Sequence, residues 1–255
     1  MNLYELGEEQ YVNGQYEKAY SYFKESYENG EEVTSSLNYM GCCQFGLENY
    51  SSAIELFDEV LKLTLWERAF INKGRVYLKL GNYNEAFALF NKARMINPFN
   101  EDVYFYLGVY FDKIEDYESS KSYYEKALDL NINDPNVHLN LGVAHMRLGN
   151  YTCAYEEFCI SLMDEDTKVD SIYNLGYTLL KLGRYDEAIN YLTQYLELEP
   201  NDFNAMDDMA YIHSKLGDLE KCLEFLRKMQ LLKPNDERTQ KKIEFALRKR
   251  SSIEG

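Results

Sequence analysis

The stretch Tyr173 to Ala188, YNLGYTLLKLGRYDEA, carries two glycines seven apart, an asparagine before the first and a basic residue before the second. Those are the materials of a phosphate cradle, in which consecutive backbone N–H groups turn toward one anion. The cradle needs the spacing GxGxxG or GxxxxGK[ST], and neither occurs. His138 and His145, seven apart on one helical face, could converge on a metal, but no cysteine or carboxylate stands at ligand spacing in the same helix. Asp164, Glu165 and Asp166 with Asp170 resemble calcium ligands, yet the EF-hand spacing and its closing glutamate are missing, so a solvated turn is expected. Cys42 and Cys43 could be redox-active, but no basic neighbour or nearby histidine lowers a thiol pKa. Packing roles are expected for both cysteines and for all three histidines, His213 included. GxSxG and HExxH are also absent, so the reading is of a chain that is no enzyme and needs no cofactor and no metal.

Charge narrows the partners. A net charge of −16 argues against general binding to nucleic acid or anionic membrane, which reward a basic footprint. The exception runs from Arg238 to Arg250, where six basic residues face only Glu244; this segment is +5, leaving −21 for the remainder. A solvated terminal helix is expected there, with a contact for acidic polymers as the alternative. Five cysteines without a CxxC pair read as reduced thiols of a cytoplasmic protein. The start, MNLYELGEEQ, lacks a signal-like pattern, and nowhere is there an apolar run of about 18 residues, so neither export nor membrane insertion is expected.

The elements that must carry these residues follow from a repeat. Gly7, Gly41, Gly74, Gly108, Gly142, Gly176 and Ala210 are separated by 34, 33, 34, 34, 34 and 34 residues, and Ala19, Ala53, Ala86, Ser120, Ala154, Ala188 and Cys222 repeat the same intervals twelve residues later. Within a unit, Ile172, Leu175, Gly176 and Leu179 share one helix face, and Ala188, Ile189, Leu192 and Leu196 share the next. Gly14, Gly81, Gly149, Gly183 and Gly217 stand where a first helix must end in a left-handed residue, with Glu48 and Glu115 in that place in two units. Asn49, Asn82, Asp116, Asn150 and Asp218 follow as expected N-caps, and Asn82 with Glu85 has the spacing of a capping box. The unit is a helical hairpin and the fold class is all-α. Pro98, Pro200 and Pro234 mark unit boundaries, with Pro135 slightly later at a fourth.

This pattern resembles the tetratricopeptide repeat. Its sequence of a small residue, an aromatic, a turn, an aromatic, an alanine, an aromatic and a proline is met by Gly74, Tyr77, Gly81, Tyr83, Ala86, Phe90 and Pro98. Seven copies are read at about 1–33, 34–66, 67–100, 101–134, 135–168, 169–202 and 203–235, then a capping helix at 236–250 and a flexible tail at 251–255. Gln10, Gln44, His145, His213 and Leu219 depart from the family's aromatics. The resemblance implies an α-solenoid, a right-handed superhelix of antiparallel helix pairs whose first helices line a concave face. Stacking is also a physical demand, since a single hairpin cannot cover its own apolar face.

On that face three columns stand out. Asn72, Asn140 and Asn174 share a helical position with Tyr39, Tyr106 and Asp208, and an amide there can bond a peptide main chain. The row is similar to the asparagine ladder in the tetratricopeptide array of O-linked N-acetylglucosamine transferases. Ile71, Phe105, Leu139 and Tyr173 form an apolar column, and Val109, Val143, Tyr177 and Tyr211 a second; Leu78, Met146 and Leu180 make a third. Lys79, Lys113, Arg147, Lys181 and Lys215 close five successive first helices, where a cation meets the helix dipole and could also orient a partner's carboxylates. Family members that hold acidic chaperone tails use a fuller cluster than Arg68, Asn72 and Arg75; Tyr4, Glu8 and Tyr39 occupy its other places, and chaperone-tail binding is not expected.

The reading is a non-enzymatic adaptor or scaffold binding a neutral or basic peptide segment of a protein partner. Asn72, Asn140 and Asn174 would hold its backbone, and Ile71, Phe105, Leu139, Tyr173, Val109, Val143 and Tyr177 would take its apolar side chains. Two rivals stay open: a self-associating structural building block and a peptide-responsive regulatory sensor.

Overall fold

The structure, a computed structural model, describes residues 2–131 and 134–254. Met1 of the first expected repeat, positions 132–133 of the fourth and Gly255 of the expected tail lie outside the described residues. The described residues form fifteen α-helices and no strand, and the chain divides into two compact units, residues 1–132 and 133–255.

The first unit holds α1 (Leu3–Val12), α2 (Tyr16–Glu28), α3 (Val33–Gly46), α4 (Tyr50–Leu63), α5 (Glu67–Lys79), α6 (Tyr83–Ile96), α7 (Glu101–Lys113) and α8 (Tyr117–Leu130). Each odd helix packs on the even helix that follows it, each hairpin packs on the next, and α5 also touches both α3 and α7. The second unit holds α9 (Pro135–Arg147), α10 (Tyr151–Ser161), α11 (Lys168–Lys181), α12 (Tyr185–Leu198), α13 (Phe203–Leu216), α14 (Leu219–Leu232) and α15 (Glu237–Glu254). It repeats the arrangement, with α11 touching α9 and α13, and α15 packed on α14. Helix pairs stacked in this way are the architecture of an α-solenoid.

The 34-residue columns account for the packing inside each hairpin. The second-column residues Ala19, Ala53, Ala86, Ser120, Ala154 and Ala188 are fully buried, as small side chains at a close helix contact must be. The first-column glycines sit under a large side chain of the partner helix: Gly7 under Phe23, Gly41 under Phe57, Gly74 under Phe90, Gly108 under Tyr124, Gly142 under Phe158 and Gly176 under Leu192. A methyl group at any of them would lie 2.5 to 2.8 Å from that side chain. One further glycine acts between hairpins, where Tyr16 of α2 covers Gly46 of α3.

The turns follow the expected stops. Gly14, Gly81, Gly149, Gly183 and Gly217 are left-handed, with φ between 70° and 82°, and Glu48 and Glu115 take the same conformation at φ 61° and 62° without glycine's freedom. The N-caps divide by chemistry. Asp116 and Asp218 accept a backbone N–H from Ser119 and Lys221, whereas Asn49, Asn82 and Asn150 make no side-chain cap bond. The expected Asn82–Glu85 capping box is therefore not formed; a charged carboxylate is the stronger acceptor for these amides, and the Asn49 amide donates to Gln44 instead. A complete capping box closes α1, between Asn2 and Glu5.

At the other end, α15 runs past the expected 236–250 to Glu254. The hydroxyls of Ser251 and Ser252 donate back to the carbonyls of Leu247 and Arg248, satisfying acceptors of the last turns. Ala246 of α15 is buried with Cys222, Leu226 and Met229 of α14. The turns between hairpins carry apolar side chains that remain exposed, Leu65 and Phe99 in the first unit and Met163 in the second, and Met95 in the last turn of α6 is exposed as well. No helix among the described residues is long and apolar enough to cross a membrane.

Candidate functional site

In the first unit the first helices converge on Arg75. Asn38 of α3 is buried, and a buried amide needs partners. Its Oδ1 accepts from Asn72 Nδ2 at 3.1 Å, and Asn72 Oδ1 in turn accepts from Arg75 Nη1 at 3.0 Å. The guanidinium lies 5.3 Å from the centroid of the Phe45 ring and 5.1 Å from that of Tyr106, so two π faces and one amide fix it. Cavities of about 280 and 440 Å³ open beside it, and Arg75 and Tyr106 line both. Tyr39, Arg68 and Asn72 line the smaller, and Leu78, Lys79, Val109 and Lys113 the larger.

The residues singled out from sequence here differ in what they can offer. Asn72 is a positioned member of the network and Val109 is half-buried at a cavity wall. Phe105 is half-buried, its ring 5.0 Å from Tyr106 and 5.9 Å from Tyr124. Ile71 is only 2% exposed and packs with Phe90 and Leu107 in the core shared by α5, α6 and α7, while also lining the smaller cavity. Cys42 and Cys43 are buried, and burial pushes their thiols up to about 11 and about 12.

In the second unit, Leu139 and Val143 are half-buried against Phe158 and Leu175. Asn140 spends its amide on its own helix, donating to the Asn136 carbonyl at 2.8 Å. Asn174 is half-buried and has no side-chain hydrogen bond among the described residues. Beside it, the Tyr173 hydroxyl donates to Asp208 Oδ2 at 3.4 Å, and Lys181 Nζ stands 4.8 Å from the centroid of the Tyr177 ring. Burial first, and the neighbouring Asp207 charge second, push the Asp208 carboxyl up to about 6. Lys215 lies over Tyr211 at 5.3 Å, so two of the five cations at first-helix ends rest on an aromatic face one turn back.

The histidines are held by packing partners. His138 Nδ1 is 2.7 Å from Glu157 Oε2 on α10, and His213 stacks on Phe225, its pKa lowered by burial. Among the described residues no three His, Cys, Asp or Glu side chains gather as metal ligands.

Sequence reasoning missed the Asn38–Asn72–Arg75 network, although a polar Asn38 within the apolar run of α3 was a visible signal. It also missed a cleft beside α15 in the second unit, about 330 Å³, because nothing in the chain's periodicity shows how a last helix seats.

Comparison with known proteins gives these features a family. A model of the tetratricopeptide repeat matches residues 179–242, and a model of the N-terminal tetratricopeptide-repeat region of Psidin matches residues 45–160. No curated protein matches the chain in sequence. Among solved structures, a chain of the APC/C hetero-tetramer Cut9–Hcn1 is similar with a TM-score of 0.77 and 20% identity, covering 93% of this chain and 47% of its own length. This chain thus spans about half of that one. PilF of Pseudomonas aeruginosa is similar with a TM-score of 0.73 and 16% identity, covering 82% of this chain and 96% of its own. YrrB, a tetratricopeptide-repeat protein with an unusual peptide-binding site, has a TM-score of 0.66 and 20% identity, covering 78% and 99%. With the 34-residue period, the glycine-under-ring hairpins and these matches in hand, the chain is identified as a tetratricopeptide-repeat protein.

Proposed function

We propose that this chain is a non-enzymatic interaction module that holds a peptide segment of a partner protein on the first-helix face of the first unit, around Arg75. The fixed guanidinium carries the reading. One of its donors is bound to Asn72, and the others border two cavities where a main-chain carbonyl or a carboxylate can meet them. A group already ordered by its neighbours loses little freedom on binding. Arg68, Arg75, Lys79 and Lys113 face Asp102 at these cavities, so the local charge is positive on a chain of −16. The segment held here is accordingly neutral or acidic; the neutral or basic partner expected above followed from the chain's average charge. Val109 and Leu78 take its apolar side chains, and Asn174 with Tyr173 and Tyr177 forms the corresponding patch of the second unit. A peptide-binding site in YrrB, on a similar fold, is in keeping with this use. The five free cysteines suit a reducing cytoplasm.

The test is a peptide-display selection on the wild-type chain, followed by titration calorimetry of the selected peptides on Arg75→Ala and Asn72→Ala. Loss of one charge-assisted contact predicts about tenfold weaker binding to Arg75→Ala. Peptides that bind the variant as tightly as the wild type would refute the site.

Self-association is the second reading, favoured by exposed Leu65 and Phe99 at neighbouring hairpin turns of the first unit and by exposed Met95 in the last turn of α6. Sedimentation velocity across concentration separates the two, since a strict monomer excludes assembly.

A further inference from the structure

The cleft beside α15 is a different site from the Arg75 face. It lies between α13 and α15, with a floor of Ala210, Cys222, Leu226 and Ala246 that belongs to the core of this end of the unit. Its walls are aromatic: Tyr211 of α13 is 46% exposed and Phe245 of α15 is 64% exposed. Phe245 stands on a face of α15 that is exposed among the described residues. The helix itself is firmly seated. Lys242 pairs with Asp207, Arg250 with Glu220 at 2.6 Å, and Lys249 donates to the Ser214 carbonyl at 3.3 Å.

Two cations at the rim are not used in that way. Arg238 has no ion pair among the described residues, and Lys241 reaches only Glu237, at 3.8 Å with both side chains exposed. An apolar floor, two aromatic walls and two available cations are complementary to one ligand chemistry, a bulky apolar side chain flanked by carboxylates. We infer that the α13–α15 cleft is a second docking site, which takes an acidic peptide segment of a partner protein by seating one large apolar side chain between Tyr211 and Phe245 while its flanking carboxylates meet Arg238 and Lys241.

Charge complementarity selects this occupant. The segment from Arg238 to Arg250 is +5 on a chain whose remainder is −21, so α15 presents a charge opposite to that of the rest of the sequence. An anionic bilayer is a poorer fit, because Glu220, Glu237 and Glu244 interrupt the basic surface that a continuous plane of headgroups would need. A single segment can place its carboxylates between those acids.

The experiment uses the whole 255-residue chain and a fluorescein-labelled peptide with one phenylalanine flanked by aspartates and glutamates. Matched controls replace the acids by lysine or the phenylalanine by alanine. Fluorescence anisotropy should show saturable binding of the acidic phenylalanine peptide alone, weakened by added salt. Arg238→Glu/Lys241→Glu and Phe245→Ser should each weaken it about tenfold, with unchanged circular dichroism, because all three side chains are exposed. Arg75→Ala should bind as the wild type does, which separates this site from the one around Arg75. The inference is overturned if the acidic peptide fails to bind or binds no better than either control. It is equally overturned if the variants bind unchanged, if only phosphatidylserine vesicles bind, or if sedimentation shows a second copy filling the cleft.

Discussion

Gly74 lies directly under the ring of Phe90, so that a Cβ on it would come within 2.5 Å of the ring's Cε1 atom. Phe90 is fully buried and cannot swing aside. Gly74→Ala gains about 1 kcal/mol of helix propensity and loses roughly 1–3 kcal/mol to overpacking. A net loss is expected, read as a lower urea midpoint. A midpoint equal to or above wild type would show that the hairpin can open at this contact.

The left-handed glutamates predict the opposite sign. A side chain in this conformation costs about 1–2 kcal/mol, partly offset by the unfolded-state entropy that glycine adds. Glu48→Gly and Glu115→Gly should therefore each stabilise the chain by about 1 kcal/mol. Gly81→Ala should destabilise it by a similar amount with no steric cause, since a Cβ there meets nothing within 4 Å. Thermal melts of the three variants check the set.

Asp208 predicts a pH dependence. Its folded pKa, about 6, is above its ordinary value of 3.8, so folding takes up a proton between those limits. The group's contribution is most favourable below pH 4, falls as pH rises to 6 and is flat above. A rise of this size corresponds to at most about 3 kcal/mol. Asp208→Asn keeps an acceptor for Tyr173 and removes the charge, so it should be more stable than wild type at pH 7. That advantage should shrink as pH is lowered toward 4; urea midpoints of the two proteins at several pH values decide.

Thiol accessibility separates the cysteines. Cys153 is exposed, while Cys42, Cys43 and Cys222 are buried and their thiols are pushed up by burial. A disulfide reagent at pH 8 should consume the Cys153 thiol first and the half-buried Cys159 more slowly, and Cys153→Ser should abolish the first phase. The buried three should react only as the chain unfolds.

Much of the fold was legible because a repeat reports its own period. Gly74 and Ala86, seen once, are two small residues; seen in register with their copies, they mark helix contacts, and the left-handed glycines mark the turns. The site was less legible because its parts come from different hairpins. Asn72 and Asn140 look equivalent in sequence, yet one is tied to Asn38 on the preceding first helix and the other to a carbonyl of its own helix. Ile71 lines the smaller cavity yet is almost wholly covered, because helical periodicity gives a face but not its angle to the next hairpin. Arg75 gains meaning only when Phe45 and Tyr106, thirty residues to either side, close on it. The Asn82 cap failed for a local reason, since matching spacing does not oblige an amide to bond.

Each large side chain seated on a small-residue column is covered by the glycine of its own hairpin, as Phe57 is by Gly41 and Phe158 by Gly142. Tyr16 over Gly46 is one of the ties between neighbours. A duplication or deletion of one 34-residue unit in the gene would carry a ring and its glycine together, leaving every such pair whole. The length of the array is thus open to change by recombination, while a break inside a hairpin would separate a ring from its seat.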